Sequence, residues 1–308
     1  MNLYKNEIRR RCCFLVSYPK RFPPHMLFQL IVTNSFPMLS YLEACINFSF
    51  LRSPKMTFSF KDIEHSKSVV KETSLYTHYH NETALFMYIE NYVIFHRVPT
   101  FAEFIEAEAY LKSAHQKDNQ DFIKFIWPED CEIPQPIISY LGSNDFSLDV
   151  LELYAAPPGT FEPTRIDETP SDVKVEWVNA DNRSAYLALS ARADKEVSEE
   201  FAKQKQPYTQ AKFDNPAFRP IVALRSDEAV GSIDLYLKEE SIEIDNFHVA
   251  VDSRGKGIGT ALQQFVMDHA DGKTVLLVAD AADTTREMYN RQNYTYISFR
   301  YELLKVFK

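Results

Sequence analysis

The stretch Ile242–Leu262 (IEIDNFHVAVDSRGKGIGTAL) decides the fold of this chain. Its first part, Ile242–Val251, alternates as a strand does, and the run Arg254-Gly255-Lys256-Gly257-Ile258-Gly259 holds three of the chain's seven glycines. Apolar positions then recur at i, i+3, i+4, i+7 and i+8, followed by a histidine at i+11: Ile258, Ala261, Leu262, Phe265, Val266 and His269. The pattern predicts a strand, a glycine-rich turn and an amphipathic helix.

A glycine-rich turn that opens a helix is typical of a phosphate-binding site. Glycine lets backbone N–H groups turn inward, and the helix N-terminus adds partial positive charge. The run lacks the G-x4-G-K-[ST] pattern of a Walker A loop. It also carries Thr260 where the dinucleotide fingerprint requires a third glycine, so neither nucleotide loop is predicted.

The elements around this turn have a clear order. A proline-rich linker over 156–170 precedes a domain predicted for 171–308. We predict one or two helices over 181–205 and a short helix over 284–292. Strands are predicted at Val173–Val178, Pro220–Leu224, Val230–Leu237, Thr274–Ala279 and Tyr296–Val306.

Residues Arg254, Gly257 and Gly259 match the signature Q/R-x-x-G-x-G/A, and in this setting the domain resembles the GNAT (GCN5-related) N-acetyltransferases. The strand Glu243–Val251 is similar to the family's E-I-x-x-L-x-V-x-P, with Val251 in place of proline. A further match is the helix that ends at a tyrosine, here Tyr289, although the family's following Gly-Phe pair is Asn-Tyr in this chain. The resemblance spans about 173–306.

The resemblance implies an N-acetyltransferase that moves an acetyl group from acetyl-CoA, as co-substrate, to a primary amine by direct attack in a ternary complex. Backbone amides of the loop would hold the pyrophosphate, and the N–H near Val249 would polarise the acetyl carbonyl. The residues expected to bind the cofactor are Val249, Ala250, Val251, Arg254, Gly255, Lys256, Gly257, Ile258, Gly259 and Thr260. The alternative is a non-catalytic protein that binds CoA or a partner with the same fold.

The attacking amine must be neutral, so a base is needed. Glu243 and Asp245 are the candidates because they lie two apart on one strand and face the same way. The alternative is that both belong to a solvated acidic edge. His248 would face the opposite side if the strand is regular, unless a bulge re-aims it. By the resemblance, Tyr289 would protonate the leaving thiolate; alternatively, it only packs in the core.

Residues 56–155 predict a smaller α/β domain. Thr100 and Glu103 form a capping-box pattern before a helix over 100–114. Strands at 122–127 and 146–154 flank a short helix at 136–141. This order repeats that of 258–306, which suggests a degenerate GNAT-like copy shaping the acceptor site or a homodimer contact. The predicted fold class is α+β (mixed α/β).

Net charge is distributed unevenly along the chain. Residues 1–55 hold eight basic and two acidic residues, which leaves −15 for the rest of a chain whose net charge is −9. An acidic body excludes sequence-independent binding to nucleic acid and suits a cationic acceptor, a small-molecule or peptide amine.

The basic segment 1–55 is predicted to lie outside the working fold, with Met56 as the true start; the alternative is an arm that binds a membrane or partner. Polar residues and proline interrupt Met26–Leu51, so no membrane-spanning helix is expected there. The four cysteines lack C-x2-C spacing, which favours reduced thiols and a cytoplasmic protein.

His78 and His80 form an H-x-H pair whose side chains would share one face of a strand. Such a pair can bind metal, but the sequence shows no evident third ligand. Ordinary surface or core histidines, and no metal, are therefore expected.

Overall fold

The computed structural model describes residues 58–63, 68–164, 169–282 and 285–307. The basic segment 1–55 lies outside the described residues, as do Asp283 and Thr284. The α-helices are α1 (Phe101–Lys117), α2 (Gln135–Ser143), α3 (Arg183–Lys195), α4 (Glu199–Ala211), α5 (Ile258–Asp268) and α6 (Thr285–Arg291). The strands are β1 (Val69–Glu72), β2 (Tyr76–Tyr79), β3 (Tyr92–Phe95), β4 (Phe122–Ile126), β5 (Ser147–Ala156), β6 (Val173–Trp177), β7 (Ile221–Arg225), β8 (Glu228–Leu237), β9 (Ser241–Val249), β10 (Thr274–Asp280) and β11 (Thr295–Val306).

All eleven strands join one sheet in the order β1-β2-β3-β4-β11-β5-β10-β9-β8-β7-β6. Two neighbouring pairs are parallel, β3 with β4 and β9 with β10, and the other pairs are antiparallel. Each parallel pair is joined through a helix, α1 or α5, as a parallel connection requires.

From either edge of the sheet the strands run inward in chain order, β1 to β4 from one side and β6 to β10 from the other, and each half of the chain gives its last strand to the other. Strand β5 pairs with β10, and β11 pairs with β4. Across the second of these pairings, Lys124 Nζ lies 2.6 Å from Glu302 Oε2. A repeated strand order is what the tandem-copy hypothesis predicts.

Three apolar clusters fill the space between the sheet and its helices, and two of them mix the halves. The cluster under α5 takes Tyr154 and Ala156 from β5. The cluster under α1 takes Leu303 from β11. A third cluster under α3 centres on Tyr186 and Phe218. Side chains of each exchanged strand thus belong to the core of the other half.

Local signals fix the helix starts that the sequence predicts. Thr100 Oγ1 accepts the Glu103 N–H at 3.3 Å, and Glu103 Oε2 accepts the Thr100 N–H at 2.8 Å, which confirms the capping box. The predicted helical stretch 181–205 is two helices, α3 and α4, and Ser198 caps the second by accepting the Phe201 N–H. Among the described residues, no helix combines the length and apolar character needed to span a bilayer.

Candidate active site

Strands β9 and β10 pair only at their first residues and then diverge. The parallel pairing joins Ser241–Ile244 to Thr274–Leu277 and ends there. Beyond it, β9 continues to Val249 along β8, while β10 continues along β5. The carboxyl ends of the two strands therefore border a gap in the sheet, and backbone groups of β9 line one side of it.

The Val249 peptide group is directed into this gap. The next N–H, that of Ala250, donates to Val230 O at 2.9 Å on the β8 side. Because successive N–H groups of a strand point to opposite edges, the Val249 N–H points away from β8. The Val249 carbonyl shares that edge and accepts Arg254 Nε at 2.9 Å. The Val249 N–H is thus a backbone donor that faces the gap.

The glycine-rich turn follows at the end of β9. Gly255 and Gly257 both have φ of 72°, the left-handed region that favours glycine. Gly257 is the N-cap of α5, and no side chain caps this end. The first amides of an uncapped helix remain available to an anion, and the helix dipole reinforces the attraction. The predicted loop-to-helix geometry is confirmed, and it can hold phosphate.

Two other glycines allow α5 to lie close to the sheet. A Cβ at Gly259 would stand 3.2 Å from Phe247 Cζ. A Cβ at Gly231, on β8, would stand 3.0 Å from Leu262 Cδ1 and 3.2 Å from the His248 carbonyl oxygen. Gly231 carries no local signal in the sequence, because a lone glycine in a strand shows its purpose only once its neighbours are known.

The two candidate bases occupy different surroundings. Glu243 is 5% exposed and lies where β9 still pairs with β10. Its Oε2 accepts a hydrogen bond from Lys238 Nζ at 3.0 Å. Asp245 is the first residue past that pairing, and its side chain is 45% exposed. Of the two carboxylates, that of Asp245 is the one beside the gap.

His248 shares the face of Asp245, which corrects the expectation for a regular strand. Ser232 pairs with His248 and Asp234 pairs with Asp245, so two residues of β8 span the interval that three residues of β9 cover. The extra residue forms a bulge at Asn246, whose φ is 37°. Residues paired across strands share a face, so the bulge turns His248 toward the side of Asp245.

A buried lysine balances the acidic residues on this face. Lys212 Nζ lies 3.0 Å from Asp234 Oδ2 and 3.4 Å from Asp245 Oδ2, and Tyr186 donates its hydroxyl to Asp234 Oδ1 at 2.6 Å. Burial alone would lower the pKa of Lys212, but the carboxylates of Asp234 and Asp245 hold it well above its usual value. Sequence reasoning missed Lys212, since no local pattern marks a lysine that pairs with a distant strand.

Tyr289 lies on α6 among other tyrosines. It is 4% exposed, and its ring centroid is 5.6 Å from that of Tyr154 and 5.5 Å from that of Tyr294. Tyr294 donates its hydroxyl to Gln263 Oε1 at 3.2 Å. The structure therefore brings the loop, Val249, Asp245 and His248 to the gap, and sets Tyr289 in the packed cluster under α5.

Comparison with known families agrees with this geometry. Residues 176–294 match the family model described as Acetyltransferase (GNAT) family. This part of the chain is a GNAT domain. Residues 58–154, which precede it, match a model described as a domain of unknown function, DUF5613. The GNAT match covers the loop, the diverging strands and Tyr289.

Solved structures extend the comparison to both halves. A functionally unknown conserved protein from Staphylococcus epidermidis ATCC 12228 is 25% identical, with a TM-score of 0.73 over 82% of this chain and 99% of that one. A GCN5-related N-acetyltransferase from Kribbella flavida is 14% identical, with a TM-score of 0.51 over 77% of this chain and 90% of that one, a likeness of fold alone. No curated protein matches the chain. The staphylococcal structure thus resembles this chain across both halves.

Proposed function

We propose that the GNAT domain transfers an acetyl group from acetyl-CoA to a primary amine. The observation that carries this proposal is the gap between β9 and β10, where the Val249 N–H lies next to the uncapped start of α5. The pyrophosphate would bind the backbone amides of 254–260, and the acyl arm would enter the gap. The Val249 N–H would then hydrogen-bond the acetyl carbonyl and stabilise the charge that develops on its oxygen.

Residues on the Asp245 face would prepare the amine. Asp245, directly or through a water, would take a proton from the ammonium form of the acceptor, and His248 lies on the same face to contact it. The neutral amine attacks the acetyl carbon, the C–N bond forms, and the C–S bond breaks. Tyr289 would give its hydroxyl proton to the CoA thiolate as it leaves and would take up the proton that the new amide nitrogen loses. The acidic balance of residues 56–308 favours an acceptor that carries positive charge.

Calorimetric titration with acetyl-CoA tests the cofactor site. Gly257→Glu puts a carboxylate at the helix start and should abolish a micromolar affinity of the wild type. Gly272→Glu is the matched control, because Gly272 shares the positive φ of Gly257 but lies in open space beyond the far end of α5. Loss of binding in both variants, or in neither, would contradict the assignment of the loop.

Turnover is then followed by the release of free CoA thiol in the presence of amine acceptors. Thiol release that depends on an amine supports the transferase. Tight acetyl-CoA binding without release, across small amines and peptide amines, would instead support the non-catalytic CoA-binding protein.

A further inference from the structure

Three histidines converge inside the N-terminal half. His78 lies on β2, His80 directly follows that strand, and His115 lies in the last turn of α1. Their exposures are 2%, 8% and 0%. The H-x-H pair does share a face, and the third ligand that the sequence did not show comes from 35 residues downstream.

The three rings are spaced like ligands of one ion. The ring centroids lie 5.8 Å apart for His78 and His80, 5.6 Å for His78 and His115, and 5.8 Å for His80 and His115. One nitrogen from each ring lies within 4.8 Å of the others. Tetrahedral Zn–N bonds of about 2.0–2.1 Å would bring such nitrogens to about 3.4 Å from one another. Bringing the three nitrogens closer together by little more than 1 Å would give them this spacing.

In each ring one nitrogen, here called the outer nitrogen, lies near an oxygen atom of another residue. Two of the three outer nitrogens form a hydrogen bond with that oxygen. His78 Nδ1 lies 3.1 Å from the Tyr110 hydroxyl, and His115 Nδ1 lies 2.8 Å from the Phe122 carbonyl oxygen. Asp118 Oδ2 is 3.0 Å from His80 Nε2, although not in a hydrogen-bonding direction. Oxygen partners of this kind fix the orientation of metal-binding histidines.

The other nitrogen of each ring, here called the inner nitrogen, has no such partner. Among the described residues, His78 Nε2, His115 Nε2 and His80 Nδ1 are buried and make no hydrogen bond. Buried polar atoms are rarely left unpaired, so the arrangement points to a ligand.

We propose that His78, His80 and His115 bind one Zn²⁺ through their three inner nitrogens. Three imidazoles suit zinc, which accepts tetrahedral nitrogen ligation. Asp118 would orient His80 from outside, and water would take the fourth position. Without a metal the same rings would be a packed aromatic cluster, and that is the alternative which the experiment must exclude.

The ion would anchor the segment between β2 and β3 to the end of α1. That segment also contacts the GNAT domain. The rings of Phe86 and Phe201 pack edge to face with their centroids 5.8 Å apart, and Tyr208 donates its hydroxyl to Glu90 Oε1 at 2.5 Å. Both contacts are with α4. Zinc bound at the histidines would therefore stabilise the N-terminal half where it meets α4, and its effect should appear in thermal unfolding.

Metal analysis of the full chain, purified without a histidine tag, tests the proposal. After chelator treatment and dialysis, Zn²⁺ is titrated in competition with a chromophoric chelator. We expect one equivalent to bind, with a higher Tm, and His115→Gln to weaken binding at least about 100-fold. His269→Gln is the control, because His269 is exposed on the other half, and it should leave the affinity unchanged. Binding that survives His115→Gln, or a wild type that takes up no Zn²⁺, overturns the proposal.

A milder variant and a Co²⁺ spectrum test the site even if His115→Gln misfolds. Tyr110→Phe removes the oxygen beside His78 and keeps the ring, so we expect a folded protein that binds Zn²⁺ about 10- to 100-fold more weakly. Co²⁺ in the wild type should give the visible bands of tetrahedral coordination without thiolate charge transfer. An unchanged affinity in Tyr110→Phe together with thiolate bands would place the metal on cysteines and refute the histidine site.

Discussion

Asp245 and His248 lie on one face of β9 although three positions separate them. A regular strand would turn residues at this odd spacing to opposite faces. The bulge at Asn246 inserts one extra residue into β9 opposite β8, so that the side chains of Asp245 and His248 lie on the same face. The acid and the imidazole thereby flank the gap that opens between β9 and β10.

The first prediction concerns the base. Asp245→Asn should lower kcat/KM at least about 100-fold and leave acetyl-CoA affinity within a factor of about three, because a positioned base contributes to proton transfer rather than to cofactor binding. The low-pH limb of the pH–rate profile should flatten. Glu106→Gln, on an exposed face of α1, is the control. A larger loss in Glu243→Gln, with its fold intact, would transfer the role to Glu243.

The second prediction concerns Lys212. Lys212→Met leaves Asp234 and Asp245 without their cation, and Asp234 is 1% exposed. Breaking a buried pair in this way should lower the free energy of unfolding by about 3–5 kcal/mol, as measured in urea. Lys195→Met removes an exposed i,i+4 pair with Glu199 and should change stability by less than about 0.5 kcal/mol. Equal effects of the two variants would show that Lys212 is not the counter-charge of this cluster.

The third prediction tests the close approach of α5 to the sheet. Gly231→Ala places a methyl group 3.0 Å from Leu262 Cδ1 and 3.2 Å from the His248 carbonyl oxygen, so it should destabilise the fold by about 1–3 kcal/mol. Gly142→Ala is the matched variant, because Gly142 lies in α2 with open space around it. It should be neutral or stabilising by up to about 1 kcal/mol. Thermal unfolding of both variants measures these changes in stability. An unchanged stability in Gly231→Ala would mean that α5 can move away from the sheet without an energetic cost.

The fourth prediction concerns the ion pair between the exchanged strands. The Glu302 side chain is 14% exposed. Its partial burial would raise its pKa, but Lys124 and Arg300 lower it below the usual value. A depressed carboxyl pKa contributes stability above the unfolded pKa, and that contribution is lost as pH falls through the folded pKa. Glu302→Gln should therefore cost about 3 kcal/mol at pH 7. The cost should begin to shrink as the pH falls below the unfolded glutamate pKa of about 4.3, and it should continue to shrink as the pH approaches the lowered pKa of folded Glu302.

Chemical denaturation of both proteins from pH 7 down to pH 3 measures this difference. Glu106→Gln again serves as the exposed control and should show no such trend. A cost that is the same at both ends of the range would mean that the Lys124 contact does not depend on the charge of Glu302.

The elements of the GNAT domain could be predicted because their signals are local. The apolar spacing from Ile258 onward, the left-handed glycines and the capping box at Thr100 each act within a turn or two of the chain. The three strands over 69–95 were missed, since they are only four residues each and carry little alternation.

By itself, the sequence determined the glycine loop, the helix after it and the order of elements from α1 onward, because neighbouring residues decide backbone conformation there. Only the tertiary structure decided that β5 and β11 change places, that a bulge turns His248 beside Asp245, and that His115 joins His78 and His80. These features depend on which distant segments pair and in what register. Hydrogen bonds between strands set that pairing, and a single chain's local pattern does not encode it.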